Sequence, residues 1–269
     1  MDADNLGSRS ALADLFDLRG KAALVTAAGQ GMGRGIAHRL AEAGANVIVS
    51  HKRLDDAQRV AEEIRSRGGC GIAVETDVAV LDHIDRTVRA GMDEFGAIDI
   101  LVNVAGGIYP RTAFLETTPE LYSAAMARNI DGAYFMSQRV ARTMAAANRP
   151  GRIVNIASTA AFRPDFELSA YNIAKSGVLA LTTSLCSELA VHRILVNAVV
   201  PGPIRTTNTA PNYDKPQVQR VVADKVPLGH PGTPDDIANA VLFCASPASG
   251  FMTGASIVID GGYMWTRGF

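Results

Sequence analysis

In Ser169-Ala170-Tyr171-Asn172-Ile173-Ala174-Lys175 a phenol and an ammonium lie four residues apart. On a helix that spacing puts both on one face, where they can share a site. A nearby cation favours phenolate over phenol and lowers a tyrosine pKa from its solution value of about 10. A tyrosine tuned in this way can give a proton to a carbonyl oxygen, or take one from an alcohol, near neutral pH. The same four-residue spacing also fits a half-buried tyrosine beside a solvated lysine. The surrounding elements must decide between the two.

Short β-branched apolar runs alternate along the chain with longer amphipathic stretches. The runs are Ala22–Thr26, Val47–Ser50, Ile72–Val74, Ile100–Asn103, Ile153–Ile156, Leu195–Val200 and Ile257–Ile259. Nearly continuous hydrophobicity over such short lengths marks parallel strands covered on both faces. Helices are expected over Gly33–Ala43, Asp55–Arg67, Leu81–Phe95, Pro119–Asn148, Tyr171–Val191 and Pro234–Cys244. Thr118-Pro119 and Thr233-Pro234-Asp235-Asp236 supply start signals, and Gly44 a stop. Alternating β and α units predict an α/β fold, a doubly wound parallel sheet of about seven strands with helices on both faces. Residues 1–17 read as a loosely held tail before a single domain over 18–269. The proline-rich stretch 203–232 lacks clear periodicity and reads as a substrate lid.

The first strand runs into Thr26-Ala27-Ala28-Gly29-Gln30-Gly31-Met32-Gly33-Arg34-Gly35 and then a helix. Glycines there let backbone N–H groups approach a pyrophosphate at the positive end of the helix dipole. The spacing departs from G-x-G-x-x-G, and tight βα turns also need glycine for steric reasons. Its place after the first strand favours dinucleotide binding. The second strand ends in Ser50-His51-Lys52-Arg53, where an NAD site would carry an acid for the ribose hydroxyls. Lys52 and Arg53 would instead attract a 2′-phosphate, which favours NADP(H) and leaves NAD(H) possible.

The 269 residues are 48% hydrophobic and 20% charged with a net charge of −1, so no basic balance points to nucleic acid or an anionic membrane. No apolar run approaches the roughly 20 residues that span a bilayer. The polar, acidic N-terminus does not read as a signal peptide. Cys70, Cys186 and Cys244 are scattered and read as reduced thiols, which predicts a cytoplasmic protein. His38, His51, His83, His192 and His230 form no metal-ligand motif.

Together these residues resemble the short-chain dehydrogenase/reductase family from about Leu18 to Gly262. Thr26, Gly31 and Gly33 resemble its T-G-x-x-x-G-x-G turn, with Ala27 in place of the first glycine, a departure that calls for a slightly different turn. Thr76-Asp77-Val78 is similar to the segment that contacts adenine. Asn103-Val104-Ala105-Gly106 is similar to N-N-A-G, with valine for the second asparagine. Asn129 resembles the helix asparagine that holds a catalytic water. Ser158 precedes Tyr171 by thirteen residues, the usual offset. Pro201-Gly202-Pro203-Ile204-Arg205-Thr206 resembles the segment beside the nicotinamide.

The resemblance implies an NAD(P)-dependent oxidoreductase that moves a hydride between nicotinamide and a carbonyl or secondary alcohol. Tyr171 would be the general acid or base, Lys175 would lower its pKa, Ser158 would bind the substrate oxygen, and Asn129 would carry a proton-relay water. Candidate cofactor contacts are Thr26, Gly29, Gln30, Gly31, Met32, Gly33, His51, Lys52, Arg53, Asp77, Val78, Asn103, Ala105, Gly106, Tyr171, Lys175, Pro201, Gly202, Ile204 and Thr206. The substrate is open among 3-oxoacyl thioesters, sugars and other small ketones. Its candidate walls are Phe162, Arg163, Phe166, Glu167 and the Thr206–Pro227 stretch, with Tyr109 nearby. An acyl-carrier partner would want a basic rim, to which Arg111, Arg128 and Arg163 could contribute. The largely apolar helix after Tyr171 and the resemblance together imply a homotetramer. A non-catalytic dinucleotide-binding sensor or scaffold, and an isomerase or dehydratase, are the alternatives on the same fold.

Overall fold

The computed structural model describes residues 12–108 and 110–265. Seven strands form its sheet: β1 (Ala22–Val25), β2 (Asn46–His51), β3 (Cys70–Glu75), β4 (Ile100–Asn103), β5 (Gly151–Ile156), β6 (Ile194–Pro201) and β7 (Ser256–Ile259). All pair in parallel in the order β3-β2-β1-β4-β5-β6-β7. The helices are α1 (Gly31–Glu42), α2 (Leu54–Ser66), α3 (Leu81–Phe95), α4 (Pro119–Met126), α5 (Gly132–Ala146), α6 (Ser169–Leu189), α7 (Ala210–Tyr213), α8 (Pro216–Lys225) and α9 (Pro234–Ala245).

Side chains alternate along a strand, so a buried parallel strand feeds two cores at once. Ala23 and Val25 pack with Ile36, Leu40, Val60 and Val241 of α1, α2 and α9. Leu24 between them packs with Ile84, Val88, Met136 and Val140 of α3 and α5 on the other side. After β3 the chain returns to the middle of the sheet and winds the other way. The carboxyl ends of β1 and β4 therefore part at a switch point, which is where open α/β sheets bind ligands.

Three expectations need correction. The helix expected over 119–148 is broken by a π turn at Ala127–Asp131. There the buried Asn129 amide donates to the carbonyls of Ala125 (3.0 Å) and Gly107 (3.2 Å). The stretch expected to be irregular contains α7 and α8, each with proline in its first turn, where the missing N–H is no loss. Its ends are tied together, since Gly232 N–H donates to Pro203 O (3.0 Å) and Arg205 N–H to Gly232 O (2.8 Å). Part of the expected loose tail over 1–17 is structured: Asp14–Phe16 form a 3-10 turn; Leu18, where the domain was expected to begin, is buried with its N–H donating to Ala43 O. Residues 1–11 of that tail, and Tyr109, lie outside the described residues. No helix among the described residues is long and apolar enough to cross a membrane.

Candidate active site

Two cavities open along the carboxyl edge of the sheet and share Gly106 in their walls. The larger, about 400 Å³, is lined by Ser158, Tyr171, Lys175, Met32, Pro201, Gly202, Ile204 and Thr206, among others. The smaller, about 140 Å³, is lined by Gln30, His51, Lys52, Asp77, Val78, Ala105 and Arg128, among others.

The larger cavity is held by short-range contacts between β5, α6 and the π turn. Ser158 leaves the end of β5 extended, and its hydroxyl accepts from Ala160 N–H (3.1 Å). Tyr171 stands in the first turn of α6, with Lys175 one turn on. Lys175 is 4% exposed, and its ammonium donates to Ile156 O (2.9 Å). Burial pushes that ammonium down to about 8. Its nitrogen lies 5.9 Å from the centre of the Tyr171 ring.

The expected lowering of the phenol pKa is not what this geometry produces. Burial drives Tyr171 above 10, a hydrogen bond with Ser158 opposes the rise, and the carboxylate of Asp165 adds to it. The half-buried phenol is accordingly protonated at neutral pH, in the form that donates a proton to a carbonyl oxygen.

Gly106, at φ 157°, sits where Asn129 and Lys175 converge. A Cβ there would lie 2.7 Å from Asn129 Oδ1 and 3.1 Å from Lys175 Nζ, so only glycine lets the β4 loop pass. Asn129 Oδ1 in turn accepts from Gly107 N–H (2.9 Å). The opened helix thus clamps the loop that divides the two cavities.

Beside the smaller cavity, α1 begins at Gly31 with no side-chain cap, so its first N–H groups lack an intrahelical partner; Gln30 lines the smaller cavity and Met32 the larger. Gly33 packs so closely that a Cβ would lie 2.4 Å from Ala27 O. Ala27 itself takes φ 52°, a left-handed conformation open to glycine without strain. Gly29 offers its carbonyl to Arg59 (2.8 Å). His51 is buried, and desolvation pushes its pKa down, toward the neutral form. Arg53 pairs with Asp56, whereas Lys52 is exposed at the cavity wall with no ion pair among the described residues.

Residues 26–264 match the family model described as Enoyl-(Acyl carrier protein) reductase. The chain is 38% identical over 246 residues to the L-rhamnose 1-dehydrogenase (NAD(P)(+)) of Azotobacter vinelandii, covering 90% of this chain and 96% of that one. A solved short-chain type dehydrogenase/reductase from Mycobacterium marinum shares its fold at TM-score 0.89 and 37% identity, over 95% of this chain and 100% of that one. This chain belongs to the short-chain dehydrogenase/reductase family. A gluconate 5-dehydrogenase from Burkholderia cenocepacia J2315, solved in complex with NADP and tartrate, is similar at TM-score 0.87 and 32% identity over 93% and 98% of the two chains. The protein is an NAD(P)-dependent oxidoreductase acting on a carbonyl or alcohol.

Within this dehydrogenase/reductase, two of the expected cofactor contacts face inward instead. Thr26 is 1% exposed, and its hydroxyl accepts from the N–H groups of Val104 and Ala105 (both 2.9 Å). It ties the end of β1 to the loop after β4, positioning the turn rather than lining a cavity. Asn103 is buried and donates to Ser137 and Asn155 (both 2.9 Å), while Asn155 donates to Thr182 (3.0 Å). This network joins β4 and β5 to α5 and α6. Asp77 lines the smaller cavity with its N–H held by His83 (3.2 Å).

Thr209 and Tyr213 come from the 206–227 stretch expected at the substrate wall, whereas Asp165 and Tyr263, which also line the larger cavity, were not anticipated. Each comes from a loop or a short helix, where no periodic pattern marks which side chain turns inward. The three arginines considered for a basic rim are separated in role. Arg111 donates to Phe166 O, Arg128 stands at the smaller cavity, and Arg163 lies over the Tyr263 ring (5.1 Å).

The start of α1 borders both cavities, with Gln30 in the wall of the smaller and Met32, Tyr171 and Lys175 in that of the larger.

Proposed function

We propose that the enzyme interconverts a small secondary alcohol and its carbonyl, prefers NADP(H), and uses Tyr171 as the proton-transfer group. The observation that carries this reading is the convergence of Ser158, Tyr171 and Lys175 on a cavity that meets the adenosine-sized cavity at Gly106. Gln30, the α1 N-terminus, Asp77, Val78 and the 201–206 segment would hold the cofactor, which supplies or takes up the hydride when bound.

The chain's own groups handle the proton. In reduction the Tyr171 hydroxyl donates its proton to the carbonyl oxygen, and the Ser158 hydroxyl stabilises the charge growing there. In oxidation the phenolate takes the alcohol proton back. Lys175, buried beside the phenol, favours that phenolate when charged. Asn129 fixes the loop through Gly107 and is the candidate for holding the relay water.

Lys52, exposed at the smaller cavity, is suited to pair with a 2′-phosphate. Residues 203–232, hinged where Gly232 meets Pro203, serve as the lid over the larger cavity. α6 leaves Ile173 48% exposed, in keeping with a homotetramer that covers this face. Light scattering at micromolar protein should give four times the 28.4 kDa chain mass, and a monomer would exclude that assembly.

The test is the absorbance of the reduced nicotinamide band with a panel of ketones, and of the matching alcohols in reverse. Steady consumption of NADPH, faster than of NADH, is the expected result. No turnover with any carbonyl or alcohol would overturn the reading.

A further inference from the structure

Asp165 lines the larger cavity together with Tyr171 and Ser158, yet no element of the proton-handling machinery uses it. Its backbone is fixed on both sides by one side chain. Asp165 N–H donates to Asn172 Oδ1 (3.2 Å), and Asn172 Nδ2 donates to Asp165 O (2.8 Å). Asn172 follows Tyr171 on α6 and is itself buried. The loop that carries Asp165 is thereby indexed to the helix that carries the phenol. The Asp165 carboxylate makes no hydrogen bond or ion pair of its own among the described residues. Acceptor capacity of this kind, held at the wall of a cavity, is satisfied by hydrogen-bond donors that enter it.

We propose that Asp165 reads the substrate: its carboxylate accepts hydrogen bonds from hydroxyls flanking the reacting carbon, so the enzyme selects neutral polyhydroxylated alcohols and aldoses over carboxylate-bearing ones. The inference rests on the hydride-transfer reading above. Three features give it direction. The remaining polar groups at that end include the neutral hydroxyls of Thr159, Tyr213 and Tyr263, of a kind suited to a polyol. The cation of the wall, Lys175, is turned to the Ile156 carbonyl, and nearby Arg163 donates to Tyr263 O (3.0 Å). An incoming carboxylate thus meets a fixed like charge at Asp165. The reach of that charge is visible at the reacting group, because it raises the pKa of the Tyr171 phenol.

The decisive variant is Asp165→Asn, which keeps the shape of the side chain and the backbone pair with Asn172. The assay is NADP+ reduction with a panel of neutral aldoses and polyols and their matching aldonates. The wild type should favour the neutral members by tenfold or more in kcat/KM. The variant should lose about tenfold on them, as expected when a charged acceptor becomes a neutral amide, and the preference should collapse.

A second readout distinguishes this from a loop that has merely shifted. Removing a negative charge near Tyr171 lowers the phenol pKa, so the rising limb of kcat/KM for oxidation moves to lower pH. The other ionisable groups facing the phenol are Lys175 on α6, Tyr213 on α7 and Tyr263 after β7, with Arg163 over the last. None is altered by the substitution.

A selectivity ratio unchanged within twofold, or a wild type that prefers aldonates, overturns the proposal. Turnover confined to ketones without hydroxyls overturns it too, while leaving hydride transfer standing. No turnover of any carbonyl or alcohol brings down the underlying reading, and this inference with it.

Discussion

At the reacting end of the cleft the key side chains are held by hydrogen bonds to the backbone: Lys175 to Ile156 O, Ser158 from Ala160 N–H, Asn129 to Gly107 and Ala125. At the end proposed for adenosine the corresponding groups are surface charges, with Arg53 on Asp56, Arg59 on Glu63, and Lys52 with no ion pair among the described residues. The first arrangement is buried and has one geometry. The second is exposed, exchanges partners readily and is screened by salt. A single substitution should therefore act sharply at the reacting end and by degrees at the adenosine end.

The largest effect is expected for Tyr171→Phe. Loss of a positioned acid or base reduces turnover by about 10²–10⁴-fold. The phenol is not needed to hold the adenosine half, so cofactor affinity by fluorescence titration should stay within a few-fold. Wild-type turnover in this variant would remove the proton-transfer role and, with it, the contrast between the two ends.

Lys175→Met separates activity from stability. The lysine is 4% exposed, and its pKa falls from 10.5 to about 8 on folding. The unfolded chain thus binds the proton more tightly, and the penalty is complete below pH 8. Between about 8 and 10.5 the wild type gains stability as pH rises, since only the unfolded chain stays protonated there. The shift corresponds to about 3 kcal/mol at pH 7, reduced in practice by the lost hydrogen bond to Ile156. Met at this position should abolish turnover yet raise the melting temperature of the cofactor-free protein at pH 7. Its advantage should fade by pH 10. A variant less stable than wild type at pH 7 would mean that the hydrogen bond outweighs the buried charge.

Lys52→Ala tests the other end. An exposed charge facing a phosphate contributes about 1.4 kcal/mol, or tenfold. KM for NADPH should rise by about that factor while KM for NADH moves less than twofold. The NADPH effect should shrink in high salt. Equal changes for both cofactors would show that Lys52 does not read the 2′-phosphate.

How far the sequence reveals these two ends follows from the same physics. The strands were legible because burial on both faces leaves a run of β-branched residues, as in β4 at Ile100–Asn103, placed to the residue. Tyr171 and Lys175 were legible because a helical repeat fixes their relative positions, and Ser158 because its offset from Tyr171 resembles that of the family. The π turn at Asn129 was not, because it changes no periodic pattern; it arises from contacts with Gly107, distant in sequence. Asn103 and Thr26 belong to recognisable motifs, but a motif does not say which way a side chain faces, and both face inward. Asp165 escaped notice because its position depends on Asn172, seven residues on and in a different element.

The smallest effect is expected at the turn that joins the ends. Ala27 holds φ 52°, which costs an L-residue about 1–2 kcal/mol, whereas glycine adopts it freely. Glycine also loses about 0.5–1 kcal/mol of chain entropy on folding. The difference leaves Ala27→Gly stabilising by about 0.5–1 kcal/mol, read as about 2 °C in melting temperature for a chain of this size. Turnover and both cofactor KM values should stay within twofold, because the left-handed turn is already made and Ala28 N–H already donates to Ser50 O (2.9 Å). A gain in stability without a change in KM means that alanine keeps the phosphate-facing backbone in place under modest strain. A drop in NADPH KM would instead mean that the strain displaces the α1 N-terminus, and that the adenosine end is tuned by its backbone as well as by its surface charges.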